Sequence, residues 1–193
     1  MKCAVIGGSN LPKDMTAEQQ DELRGFGAWL ADEHIELLTG ACWGFPHLVS
    51  EGCMARGGTS IGYSPATNRE EDVTVYGHPQ RSCTSYRFLD AAHQGVYARL
   101  LMRSVPLVDD ADVAVSIEGN WGTMMEMVSA LVCGKPLVVW ESSGGASGAF
   151  REAFNELSAH NLNHYSNDAV FVQSLEEVER ALLKLRSRNL VHA

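Results

Sequence analysis

The chain has 193 residues, of which 45% are hydrophobic and 20% charged, and its formal net charge is −9 at neutral pH. That length suits one domain over residues 1–193, which buries about 70% of its unfolded surface and needs no staple. The acidic balance argues against a basic nucleic-acid face, and no apolar run approaches the ~20 residues of a membrane span.

The elements alternate along the chain. Cys3–Ile6 is a short apolar run that reads as a buried strand. Thr16 and Gln19 form a capping-box pattern, and Leu23, Phe26 and Leu30 make the apolar stripe of the helix behind it. Ile35–Leu38 is the next strand. Pro46 then opens a helix to about Arg56, closed by Gly57-Gly58, and Thr59–Gly62 is a third strand. Residues 64–89 are irregular and polar, with a weak strand candidate at Val73–Tyr76; loops this long are usually functional or mobile. A helix from Ala91 to about Val105 stops before Pro106. Asp112–Ile117 is a strand, 123–133 a helix stopped by Gly134 and Pro136, and Leu137–Trp140 a strand. A helix near Gly148–Ser158, a strand at Ala169–Val172 and a last helix opened by Ser174 and Glu177 complete the chain. The buried face of that last helix is Val178, Ala181, Leu182 and Leu185. This alternation predicts an α/β fold, a doubly wound and mostly parallel sheet with helices on both faces.

The glycines cluster where the strands end, which is where open α/β sheets bind ligands. Gly7, Gly8 and Ser9 follow the first strand, Gly40 to Gly44 the second, Gly119-Asn120-Trp121-Gly122-Thr123 the Asp112–Ile117 strand, and Gly144-Gly145 the next. Glycine lets backbone approach a ligand and exposes N–H donors, and a helix N-terminus adds partial positive charge. Backbone donors of this kind serve a phosphate even in an acidic chain. The Gly119–Thr123 loop feeds a helix directly and is the best phosphate cradle in the chain. Neither GxGxxG nor GxxxxGK[ST] occurs, which counts against an ordinary NAD site and a standard P-loop. Trp43 and Trp121 lie in these loops and either stack on a heterocycle or pack.

Residues 118–126, Glu-Gly-Asn-Trp-Gly-Thr-Met-Met-Glu, resemble the PGGxGTxxE signature of the LOG family, part of the Rossmann-like SLOG superfamily. Thr39–Pro46 resembles that family's second glycine-rich loop, and Gly57–Pro65 its third-strand region. The resemblance implies hydrolysis of the N-glycosidic bond of a nucleoside 5′-monophosphate, with Glu126 as the signature glutamate and Arg103 as the upstream arginine. A carboxylate suits an oxocarbenium-like centre or water activation, and a guanidinium suits orientation of an anion. The sequence departs from the pattern: Glu118 replaces the signature's proline, Asn120 its second glycine, and only Arg103 survives of the MHxRK run. The molybdenum cofactor carrier proteins are similar in fold and bind a ligand without a proven reaction. The resemblance also implies a homo-oligomer, a dimer or higher.

Each of these residues also has a plainer reading. Thr123 and Glu126 have capping-box spacing, Asn120 suits an N-cap, and Arg103 suits a solvated helix face. Five cysteines without CxxC spacing read as free thiols of a reducing compartment, although Cys42 lies in a glycine loop. With no signal-peptide pattern at the N-terminus, the cytoplasm is the expected location. His160 and His164 have HxxxH spacing, but a turn-like interior and no further ligand argue against a metal. The expectation is therefore a crevice for a phosphate-bearing small molecule, nucleotide or molybdopterin-type, with no cofactor required and no nucleic-acid or membrane partner. A carrier and a hydrolase remain the two alternatives.

Overall fold

The computed structural model describes residues 1–90, 95–159 and 168–191. Seven parallel strands, β1 (Lys2–Gly7), β2 (Glu36–Thr39), β3 (Ser60–Tyr63), β4 (Ser85–Arg87), β5 (Val113–Ile117), β6 (Leu137–Trp140) and β7 (Ala169–Val172), form one sheet in the order β4-β3-β2-β1-β5-β6-β7. The order reverses between β1 and β5, so this Rossmann-like α/β sheet has its topological switch point there. The two-residue period of a strand then sorts the core. Cys3 and Val5 of β1 face one cluster with Leu23, Phe26, Leu48 and Val178, while Ala4 and Ile6 face another with Leu107, Met127 and Phe150. The first cluster is covered by α1 (Ala17–Asp32), α2 (Phe45–Ala55) and α7 (Leu175–Val191), the second by α4 (Val96–Asp109), α5 (Trp121–Val132) and α6 (Gly145–Ala159).

Local signals set most of these elements. Thr16 Oγ1 accepts from Gln19 N at 3.3 Å, and Gln19 Oε1 accepts from Thr16 N at 2.9 Å, closing the expected capping box of α1. Pro46 sits in the first turn of α2, where its missing N–H costs nothing. In α7, Val178, Leu182 and Leu185 are buried and Ala181 partly so.

Three expectations change. Val73–Tyr76 is not a strand. Instead α3 (Arg69–Thr74) forms, capped by Asn68, whose Oδ1 accepts from Glu71 N at 3.0 Å, with Glu70, Glu71 and Asp72 in its first turn. A cap and acidic residues at the positive end of the helix outweigh the β preference of a short run. The strand of this region is β4, whose Ser85-Tyr86-Arg87 offers no apolar pattern because it is an exposed edge. Pro106 does not end α4, which continues to Asp109, where Asp110 N closes on Pro106 O at 3.1 Å. Interior proline costs about 3 kcal/mol, but Leu107 and Val108 beyond it are fully buried, each worth about 1.5–3 kcal/mol. Residues 91–94, where that helix was expected to begin, and both His160 and His164 lie outside the described residues.

α1 and α2 meet backbone to backbone. A Cβ on Gly27 would lie 1.8 Å from Val49 O, and one on Gly52 would lie 1.8 Å from Arg24 O. Gly25, on the outer face of α1, has nothing within 4 Å. Gly52→Ala is therefore expected to destabilise the fold by about 1–3 kcal/mol through overpacking. Gly25→Ala should stabilise it by about 0.5–1 kcal/mol through helix propensity. Urea denaturation of the two variants measures both.

Candidate functional site

The loops after β1, β2, β3 and β5 converge on a crevice of about 430 Å³. β1 and β5 come so close at the switch point that a Cβ on Gly7 would lie 2.5 Å from Ile117 O. Gly44, at φ +83° and ψ −145°, makes the turn into α2, and a Cβ there would lie 2.1 Å from Gly8 O. Phe45 N donates to Gly8 O at 3.0 Å, locking the first loop to the start of α2. That start carries no side-chain cap among the described residues, but with Phe45 N bonded to Gly8 O and no N–H on Pro46 it offers a ligand few free donors.

α5 starts differently. Asn120 is its N-cap, as the residue type suggested, and its Oδ1 accepts from Gly122 N at 3.1 Å. Glu118, at φ +54°, folds its carboxylate back onto Gly119 N. That carboxylate lies against Gly8 and Gly145, where added Cβ atoms would be 2.1 and 3.0 Å from its oxygens. Two N–H groups of the 119–123 loop are thus taken by the chain's own acceptors.

Arg103 on α4 reaches across to α5. Its Nη1 donates to Glu126 Oε1 at 2.9 Å, and Ser104 Oγ donates to the same oxygen at 2.8 Å. Thr123 is the third residue of α5 and Glu126 lies a turn beyond it, so the T-x-x-E spacing is not a capping box. The Glu126 side chain turns to α4 instead. Arg103 is not a solvated residue either: its guanidinium lies over Gly40, where a Cβ would sit 2.3 Å from Nη1. Its Nε is buried with no hydrogen-bond partner among the described residues.

Of the residues singled out in the sequence, Gly7, Ser9, Arg103, Asn120, Gly122, Thr123 and Glu126 line this crevice. Gly8, Gly40, Gly44 and Gly119 lie behind the lining and allow its close approaches. Trp121 is 86% exposed and does not line it, whereas Trp43 does. Sequence reasoning did not pick out Tyr76, His78, Leu100 and Ser104 as lining residues. Tyr76 and His78 belong to the 64–89 stretch, whose length was the only signal.

The arrangement has two chemical characters. The Arg103 guanidinium and the hydroxyls of Ser9 and Thr123 form a donor-rich part suited to an anion. Trp43, Tyr76 and Leu100 form a flat, apolar part suited to a ring. Cys42 also lines the crevice, but burial pushes its thiol up to about 11, with Arg103 lowering and Glu126 raising it by smaller amounts. It is therefore a thiol at neutral pH and not an activated nucleophile. Among the described residues no group of His, Cys, Asp and Glu could hold a metal ion.

A crevice over the carboxyl ends of a doubly wound sheet, lined by glycine loops, places the chain in the Rossmann-like class. The chain belongs to the SLOG cluster4 family, whose model matches residues 1–179. The resemblance seen at Gly119–Glu126 thus holds at the level of the SLOG proteins. No curated protein sequence matches this one. Among solved structures the chain is similar to TM1055, a structural-genomics target, at 24% identity and TM-score 0.70 over 95% of this chain and 98% of that one. It is also similar to the molybdenum cofactor carrier protein of Chlamydomonas reinhardtii, at 18% identity and TM-score 0.66 over 96% and 98%. DNA processing protein A of Helicobacter pylori, described by its single-stranded DNA binding mode, matches at 16% identity and TM-score 0.65 over 95% and 80%. At these identities the likeness is one of fold.

Two outcomes are expected. At pH 8, iodoacetamide should modify Cys42 about a hundredfold more slowly than a free cysteine, and the rate should rise as pH climbs toward 11; mass spectrometry of the tryptic peptide measures it. Arg103→Met should cost about 3–5 kcal/mol by stranding a buried carboxylate, and the double variant Arg103→Met/Glu126→Met should recover most of that loss. Urea denaturation at neutral pH distinguishes the two.

Proposed function

We propose that this chain binds a phosphate-bearing, nucleotide-like small molecule in the switch-point crevice and serves as its carrier. The observation that carries this reading is the Arg103 guanidinium, buried at the crevice with Nε unpartnered among the described residues. A guanidinium has five N–H groups, and with one bonded to Glu126 an anionic ligand in the crevice pairs with the rest of the cation. The aromatic and apolar part of the lining fits the ring of a nucleotide or a molybdopterin-type ligand, and the Chlamydomonas neighbour is by name a carrier of such a cofactor. The ligand is cargo, and no cofactor is required. Self-capping by Glu118 and Asn120 favours binding without turnover, because a loop with committed N–H groups has fewer left for charge that develops in a reaction.

A second reading keeps the enzyme. Glu126 lines the crevice beside Arg103, as a phosphoribohydrolase requires of its catalytic carboxylate and orienting arginine. In this reading Glu126 would activate water or stabilise the oxocarbenium-like centre. The likeness to a single-stranded DNA-binding protein does not make a nucleic acid the partner: a strand needs a basic groove, and the net charge is −9. Free cysteines, and the absence among the described residues of a helix long and apolar enough to cross a membrane, agree with a cytoplasmic carrier.

The chain is proposed to work as a homo-oligomer. Tyr97, Leu101 and Val105 recur every fourth residue along α4 and are exposed, Tyr97 at 83%, and Val128 and Val132 do the same on the neighbouring α5. These are the two helices that carry Arg103 and Glu126, and a second copy covers their apolar outer faces. Leu101→Glu is expected to convert a dimer or larger assembly to monomer in light scattering; a wild type that is already monomeric contradicts the assignment.

A thermal-shift screen against nucleoside monophosphates, ribose 5-phosphate and pterin phosphates tests the function. A ligand at a hundredfold excess over its Kd stabilises by about 2.7 kcal/mol. Stabilisation without base release supports the carrier, and base release lost in Glu126→Gln supports the hydrolase. No stabilisation by any phosphate ligand contradicts both.

A further inference from the structure

The long stretch after β3 builds a second buried network on the crevice. Asp72 of α3 is fully buried. Its carboxylate accepts from Ser64 Oγ at 2.5 Å, from Arg69 Nη1, and from His78 Nδ1 at 2.7 Å. A carboxylate only accepts, so His78 Nδ1 carries the hydrogen, and in the neutral ring Nε2 presents a lone pair. Arg69 already supplies the counter-charge that a buried carboxylate needs, so the imidazole is not required for it. The ring itself is nearly buried and lines the crevice, and Nε2 is the nitrogen left to face it.

The segment that carries His78 is held in place from both sides. Trp43 Nε1 donates to Gly77 O at 2.7 Å, and Arg99 Nη2 pairs with Glu71 at 2.7 Å. The Arg99 and Thr67 donors hold the Glu71 carboxyl down at about 2, so this anchor stays charged at any ordinary pH. Beside His78 the crevice is lined by Trp43, Tyr76 and Leu100, and the buried Tyr76 hydroxyl has no hydrogen-bond partner among the described residues. Tyr76 and His78 follow β3, while the Asn120–Glu126 wall follows β5, with β2 and β1 between them. The two walls therefore meet different parts of one ligand.

We propose that His78, positioned by Asp72, reads the heterocycle of the ligand: Nε2 accepts a hydrogen bond from an N–H on the ring or its exocyclic amino group. This rests on the proposed binding of a nucleotide-like phosphate and adds which chemistry the ring must offer. A heterocycle with a donor edge is held between the aromatic wall and the imidazole. One that presents only acceptors leaves the Nε2 lone pair facing another lone pair and is rejected.

The test compares adenosine and guanosine 5′-monophosphates, whose bases carry amino groups, with purine riboside 5′-monophosphate, whose base carries no N–H. Calorimetric titrations of wild type and His78→Leu measure each affinity, with ribose 5-phosphate as the phosphate-only probe. Wild type should bind an amino base about tenfold more tightly than the bare purine. In His78→Leu that preference should vanish, while ribose 5-phosphate binds as before. Equal affinities in wild type, or a preference that survives in His78→Leu, would overturn this inference and leave the phosphate-ligand reading intact. If none of the four phosphates binds wild type, both fall together. A readout that needs no variant is the side-chain ¹⁵N spectrum of wild type, in which His78 Nε2 should appear unprotonated and shift when an amino-base ligand is added. A protonated Nε2, in the neutral ring or the imidazolium, overturns the assignment.

Discussion

The contact on which the site depends is the pairing of Arg103 with Glu126 over Gly40. It ties α4 to α5 at the point where both helices look onto the ends of β1, β2 and β5. Two charges taken from water stabilise a fold only when their geometry is close and the remaining atoms are satisfied. Here Ser104 satisfies the Glu126 oxygen a second time, but Arg103 Nε is left without an acceptor among the described residues. Gly40 is the condition for this arrangement, since any side chain there would occupy the guanidinium's position. The fold thus holds a cation at the crevice that, among the described residues, spends one of its five N–H groups on Glu126.

The glycine loops divide into two kinds. Gly7, Gly8 and Gly44 let three backbones meet and leave the start of α2 without a side-chain cap among the described residues. The 118–123 loop has the expected strand–loop–helix geometry, yet Glu118 and Asn120 direct their own oxygens at its N–H groups. That leaves the Arg103 guanidinium, and not the loop expected to be the best cradle, as the charged donor lining the crevice. An internal carboxylate at Gly119 repels a phosphate placed there and suits a protein that holds its ligand without transforming it.

Much of the fold was legible because its signals are local. Period-2 apolar runs, the Thr16–Gln19 box, Pro46 and Gly134 each act over a few residues and marked their elements. What was illegible depended on partners far away in the chain. β4 is polar and becomes a strand only because β3 offers it an edge, and Pro106 is tolerated only because Leu107 and Val108 are buried beyond it. In the site, the glycine loops and the N-cap role of Asn120 could be read directly. The pairing of Arg103 with Glu126, 23 residues apart, needed two helices side by side, and only the resemblance suggested both residues. The inward turn of Glu118 and the bonding of His78 to Asp72 are set by tertiary packing and had no counterpart in the sequence pattern.

The central claim is that the switch-point crevice receives a phosphate-bearing ring compound, with the anion on Arg103. A crystal structure of the protein grown with a nucleoside 5′-monophosphate tests it most directly. The account predicts phosphate oxygens against the Arg103 guanidinium, with the base against Trp43 and Tyr76. A ligand seated elsewhere, or a phosphate cradled by Gly119–Thr123 with Glu118 displaced, would contradict it.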